Sequence, residues 1–186
     1  MKLKKVNAIL GLLSILFILL HLCYSVFCYL TFYYNPLLKN IFAYPFLVLV
    51  CLHAVCGMLT VFMQDDGGRM DLYPKQNIRT ILQRASAALI LPLLIIHIKS
   101  FEWMSGAAEI GKPIFVWLLI LAGVLFFAVV LTHVATSFTK GFITLGLLSS
   151  EKTMKQIDRF CYVVCGALFI VAVYSITKGQ IAMFLG

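Results

Sequence analysis

Charge is scarce in this chain. Only 12% of its 186 residues are charged, and only seven are acidic. A soluble domain of this size could not cover the apolar surface of a sequence that is 62% hydrophobic, with a mean hydropathy of +1.02. The six cysteines, Cys23, Cys28, Cys51, Cys56, Cys161 and Cys165, form no C-x-x-C pair and all fall within apolar runs. They read as small helix-packing residues. No small-x-small cleavage site follows the first apolar stretch, from Val6 to about Tyr34, which is too long for a signal-peptide core. Leu22-Cys23 is a fragment of a lipoprotein box that His21 spoils. The segment reads as a retained first span.

What the chain does have is long apolar runs, each sufficient to cross a bilayer. They predict an all-α, polytopic membrane protein, a single bundle of five transmembrane helices with no room for a separate soluble domain. The spans are expected at about 7–32, 41–63, 77–104, 113–137 and 157–176. Tyr33-Tyr34-Asn35-Pro36 closes the first, and Gly67-Gly68 breaks the chain between the second and third. Pro92 is expected to kink span 3 near Ala88. Pro113 suits the first turn of span 4, which stays apolar to Ala135 before a mixed segment, Thr136 to Leu148, drifts to the interface. No acidic residue is expected within a span as a proton carrier; Glu102 lies only near an outer end.

The net charge of +8 invites a nucleic-acid reading, but the cations lie between spans and instead set orientation. With the N-terminus cytoplasmic, the inner side holds eleven Lys and Arg: Lys2, Lys4, Lys5, Arg69, Lys75, Arg79, Arg84, Lys140, Lys152, Lys155 and Arg159. The outer side holds four: Lys39, Lys99, Lys112 and Lys178. This asymmetry predicts a multi-pass protein of a cell membrane with its N-terminus inside.

Against this background stand four histidines, His21, His53, His97 and His133, one in each of the first four spans. An intramembrane histidine is costly and needs a partner or a task. At ~1.5 Å per residue, His21 lies roughly 24 Å beyond Lys5 and His97 roughly 27 Å beyond Arg79. His53 lies about 15 Å from the inner end at Met63, and His133 about 10 Å from Lys140. The histidines therefore fall into an outer layer, His21 with His97, and an inner layer, His53 with His133. One histidine of this kind is commonly an interhelical hydrogen bond. Four in two matched layers can give two irons a pair of axial imidazoles each, the arrangement suited to electron transfer. With no C-x-x-C-H site, such haems would be held non-covalently, as haem b.

Small residues near the histidines would let a macrocycle approach: Ala54, Cys56 and Gly57 near His53; Thr132, Ala135, Thr136 and Ser137 near His133; Gly11, Ser14 and Ser25 near His21. A hydroxyl or backbone carbonyl would accept the second ring N–H of each ligand. Arg84 sits several residues into span 3. It either snorkels to the inner interface or partners haem propionates or a quinone oxygen, with Gln83 and Ser86 adding donors.

These residues resemble a known family. Five spans with a histidine in each of the first four, His53-Ala54-Val55-Cys56-Gly57, Leu82-Gln83-Arg84-Ala85-Ser86, and His133 followed by Ser137 to Gly146 are similar to the di-haem cytochrome b anchor of succinate:quinone oxidoreductases and quinol:fumarate reductases. The resemblance covers nearly the whole chain. It departs at Asn7, where relatives often carry a basic residue or histidine, and at Ala87, where they usually carry glycine. It implies two haem b groups, the inner on His53 and His133 and the outer on His21 and His97. It also implies a menaquinone-type quinone, and a flavoprotein and an iron–sulfur subunit on the cytoplasmic face. A dimer of the whole complex is compatible with it. The dicarboxylate chemistry would lie in those partners, not in this chain. Other readings of the same residues are a di-haem anchor for a different flavoprotein reductase, an ascorbate- or hydrogenase-linked di-haem cytochrome, and a haem-free transporter or structural anchor.

Overall fold

A computed structural model describes residues 2–63 and 74–186, with side chains for 2–62 and 78–186. The expected breaker Gly67-Gly68, Arg69 and the Lys75 side chain lie outside the described residues. Five helices follow one another: α1 (Lys2–Thr31), α2 (Pro36–Met63), α3 (Pro74–Glu109), α4 (Pro113–Leu145) and α5 (Glu151–Phe184). Each is long and apolar enough to cross a membrane. The end carrying Lys2, Lys4, Lys5, Arg79 and Arg84 is called inner below, and the opposite end outer.

The helices run beyond the apolar stretches that announce them. Pro36 does not merely end α1: it opens α2, five residues before the expected start. Asn35 caps that helix, its Oδ1 accepting the N–H groups of Leu37 and Leu38 at 2.9 and 3.3 Å. The Tyr24 hydroxyl pins the same turn, donating to the Asn35 carbonyl at 2.8 Å and accepting its N–H at 2.7 Å. Pro45 and Pro92 are both carried inside continuous helices.

The mixed segment after Ala135 is helix as far as Leu145, not an interfacial drift. Nothing in it breaks a helix, because Thr136, Ser137 and Thr144 return their hydroxyls to carbonyls four residues back. Gly146, at φ 79°, is the first residue able to stop it, and the Gly146 and Leu147 N–H groups close onto Ile143 and Phe142. α5 starts six residues early at the Ser150 cap and continues eight residues past the expected end.

α4 is the central helix. It packs on α1, α3 and α5, while α2 leans chiefly on α1. Backbone packing between α1 and α3, and between α2 and α4, is marginal at most. Large apolar side chains such as Phe62, Ile114 and Ile170 face outward, at 84%, 70% and 69% exposure, whereas the buried polar groups are small: Ser14, Thr60, Ser86, Ser100, Thr136, Thr139 and Ser175. An apolar exterior around small polar interior groups is the arrangement a bilayer demands.

Candidate functional site

The histidine rings face each other in two pairs. His53 of α2 and His133 of α4 have ring centroids 6.2 Å apart, and His21 of α1 and His97 of α3 are 6.5 Å apart. Each pair thus bridges two helices that barely pack on each other. The side chains meet across a slot between backbones.

The inner pair is held from behind. His53 Nδ1 lies 3.0 Å from the Asn7 carbonyl oxygen of α1. A carbonyl only accepts, so Nδ1 carries the proton and Nε2 is free to act as a ligand. Gly11 makes this contact available. It lies four residues beyond Asn7, over the same carbonyl, and a Cβ there would come within 2.9 Å of His53 Cε1 and 3.2 Å of Nδ1. Gly11 therefore serves His53, not His21, near which its sequence position suggested it.

His133 is fixed in the same way. Its Nδ1 lies 3.0 Å from the Gln83 carbonyl oxygen and 3.2 Å from Ser86 Oγ. Ser86 gives its own proton to the Leu82 carbonyl at 2.7 Å and the Gln83 carbonyl at 3.0 Å, so its lone pairs face the imidazole. The Gln83 side chain accepts from Lys140 Nζ at 2.8 Å, and Thr80 Oγ1 accepts from the same ammonium at 3.1 Å. Gln83 and Ser86 are thus committed to the His133 neighbourhood. Arg84, half-buried, projects from a different face of α3. The hydroxyls of Thr136 and Ser137 reach the His133 carbonyl, not its ring.

The outer pair is built differently. His97 stacks on Phe126 at 4.7 Å and meets the edge of Phe127 at 6.0 Å. His21 Nδ1 is buried without a hydrogen-bond partner. Both rings line a cavity of about 790 Å³ whose walls include Leu22, Phe46, Phe126 and Phe127. That volume lies in the range of small-molecule and cofactor sites. Phe46, Val50, Leu94, Phe126 and Val130 form an apolar cluster drawn from α2, α3 and α4, the helices carrying three of the four histidines. Gly11 marks the inner level on α1 and His21 the outer, so ten residues of rise set the levels about 15 Å apart.

The spacing fits an ion between each pair. A metal–imidazole bond is about 2.0 Å and the ring centroid lies about 1 Å behind the nitrogen, so two rings on one ion stand about 6 Å apart. Interplanar angles of 65° and 89° allow both rings to share one axial line while rotated about it. Among the described residues no group of three or more His, Cys, Asp or Glu converges. A bare ion would therefore find two protein ligands at each level, whereas a macrocycle brings its own equatorial nitrogens. The slots, the free Nε2 atoms of the inner pair and the apolar walls all suit a tetrapyrrole.

One cluster was not legible in the sequence. Asp158 lies in α5, inside a candidate span. It takes two hydrogen bonds from Arg79 at 2.7 Å each and one from Thr139 at 2.5 Å. Arg79 Nε donates to the Thr136 carbonyl at 3.0 Å. The acid is thus an ion-pair partner that joins α3, α4 and α5. A paired aspartate and arginine near the ends of two spans are the only signal the sequence offers for it.

Comparison with family models, with characterised proteins and with solved structures gives no match to this chain.

Proposed function

We propose that this chain is a di-haem, b-type transmembrane cytochrome, the membrane anchor and electron-transfer subunit of a succinate:quinone oxidoreductase or quinol:fumarate reductase. The observation that carries the reading is the facing of four imidazoles in two pairs, at the separation that bis-axial ligation requires. His53 and His133 would hold the inner haem, and His21 and His97 the outer. When bound, each haem would supply a one-electron iron couple, and two imidazoles at each level would hold it, a donor set suited to electron transfer.

The chain's own residues do the rest. The Asn7 and Gln83 carbonyls orient the inner imidazoles and raise their basicity. The Phe126 face fixes the His97 ring. Largely apolar walls line the outer cavity. Two sites about 15 Å apart along the bundle axis would let electrons cross the bilayer. Each charge moved across is worth about 2.3 kcal/mol per 100 mV, which couples quinone chemistry to membrane potential. The cationic inner end suits docking of flavoprotein and iron–sulfur partners there, with a menaquinone-type quinone as the membrane-side reactant.

The protein purified from haem-replete cells is expected to show a b-type α-band on dithionite reduction and two haems per chain. Partners co-purified from native membranes should reduce it with succinate. A colourless protein ends the haem reading. A coloured one that co-purifies with a different flavoprotein ends only the succinate assignment.

Gly11→Ala tests the inner site without touching a ligand. The added methyl pushes the His53 ring off the Asn7 carbonyl. Disturbing such an outer partner typically weakens binding about 10–100-fold. Haem titration of the apoprotein should show that loss at one of two sites; two unchanged affinities would remove Gly11 from the site.

A further inference from the structure

Four lysines lie at the outer end, and two have evident partners. Lys99 is ion-paired with Glu102 at 2.9 Å, Lys178 lies over the Tyr174 ring at 5.7 Å, and Lys112 immediately precedes α4. Lys39 is different. It lines the cavity that contains His21 and His97, and its ammonium has no hydrogen-bond or ion-pair partner among the described residues.

Two biases disfavour a cation at this position. Lys39 stands in the first turn of α2, where the helix dipole repels a cation. It also stands on the side of the membrane that the positive-inside bias leaves poor in lysine. Lys39 is exposed where it lines this apolar cavity, so its ammonium can turn to an anion held inside. The other walls supply none, because among the described residues no aspartate or glutamate lines it.

We propose that Lys39 is the anion anchor of the outer site, its ammonium receiving a carboxylate of the tetrapyrrole held by His21 and His97. This rests on the di-haem reading above. The macrocycle is thereby oriented with an acidic edge toward the outer surface, and the lysine charge favours the reduced form of the outer iron.

The test is a spectroelectrochemical titration of the full chain in lipid nanodiscs, resolved into two one-electron components, with Lys39→Met, Lys39→Gln and Lys39→Arg. His53→Ala, which keeps only the outer pair, identifies the outer component. Lys39→Met and Lys39→Gln are expected to shift the outer equilibrium about tenfold toward the oxidised form, which is about 59 mV for a one-electron couple. Lys39→Arg should hold the wild-type value, and the inner component should not move. Selective loss of the outer haem in Lys39→Met also supports the assignment. Two haems at wild-type potentials in both neutral variants overturn it. A lipid phosphate is the rival source of the anion. If exchanging phosphatidylglycerol for an uncharged, phosphate-free detergent raises the wild-type outer potential and leaves both neutral variants unmoved, Lys39 serves lipid and the proposal fails. Failure of the di-haem reading looks different: no variant, nor the parent, has an α-band.

Discussion

Replacing His53 with alanine is expected to halve the haem content, from two per chain to one, and to leave the outer pair filled. His53 is the only histidine on α2, and α2 and α4 scarcely pack on each other, so no other side chain at that level takes over the axial position. His133 would keep its tether to Gln83 but face an open slot. The outer pair lies about ten residues of helix rise away, roughly 15 Å. The cluster of Phe46, Val50, Leu94, Phe126 and Val130 packs without any help from the His53 ring. His21→Ala should give the reciprocal result, one haem at the inner level. Pyridine haemochrome quantitation with far-ultraviolet circular dichroism checks both. Two haems retained in a helical His53→Ala protein would remove His53 from the ligand set. Loss of both haems from a protein with intact helices would show that the levels are not separate sites.

The pairing that this experiment probes was legible before any coordinates, and for a physical reason. A membrane fixes the direction of each span, and an α-helix fixes its rise, so the depth of a residue is arithmetic. His21 with His97, and His53 with His133, are the rings that come to face each other. The supports behind them were not legible. Asn7 and Gln83 act through backbone carbonyls, which every residue has, so no side-chain pattern marks them. Gly11 matters because α1 lies against α2 at that height, a fact of packing rather than of sequence neighbourhood. The helices outrun the apolar stretches that mark them in the sequence. Asn35, Pro36 and Gly146 set the real limits through local backbone chemistry. Arg79 counts in the sequence only as an inner-side charge, and nothing there joins it to Asp158, since 79 residues separate two groups that meet.

That pair carries the second large effect. Asp158→Ala is expected to cost about 3 kcal/mol of stability, as does the loss of one partner from a buried ion pair. The side chains of Arg79 and Asp158 are only 26% and 19% exposed, so water cannot fully take over the stranded guanidinium. The loss also leaves the hydroxyl of Thr139, 1% exposed, without its acceptor. Because α3 and α5 hardly pack on each other directly, this junction is the main tie between them at the inner end. Arg79→Leu alone strands the carboxylate and should be similarly damaging. Replacing both, Arg79→Leu with Asp158→Leu, removes the charges together and should recover most of the loss. Thermal unfolding in detergent, read as a double-mutant cycle, measures the coupling. Single variants costing less than about 1 kcal/mol with no coupling would place the pair among solvent-screened surface bridges. A large coupling instead makes the junction a clamp beside the inner site, because Arg79 grips the carbonyl of Thr136, three residues along α4 from His133. The single variants should then also loosen the inner haem more than the outer, which the same samples report through their haem content.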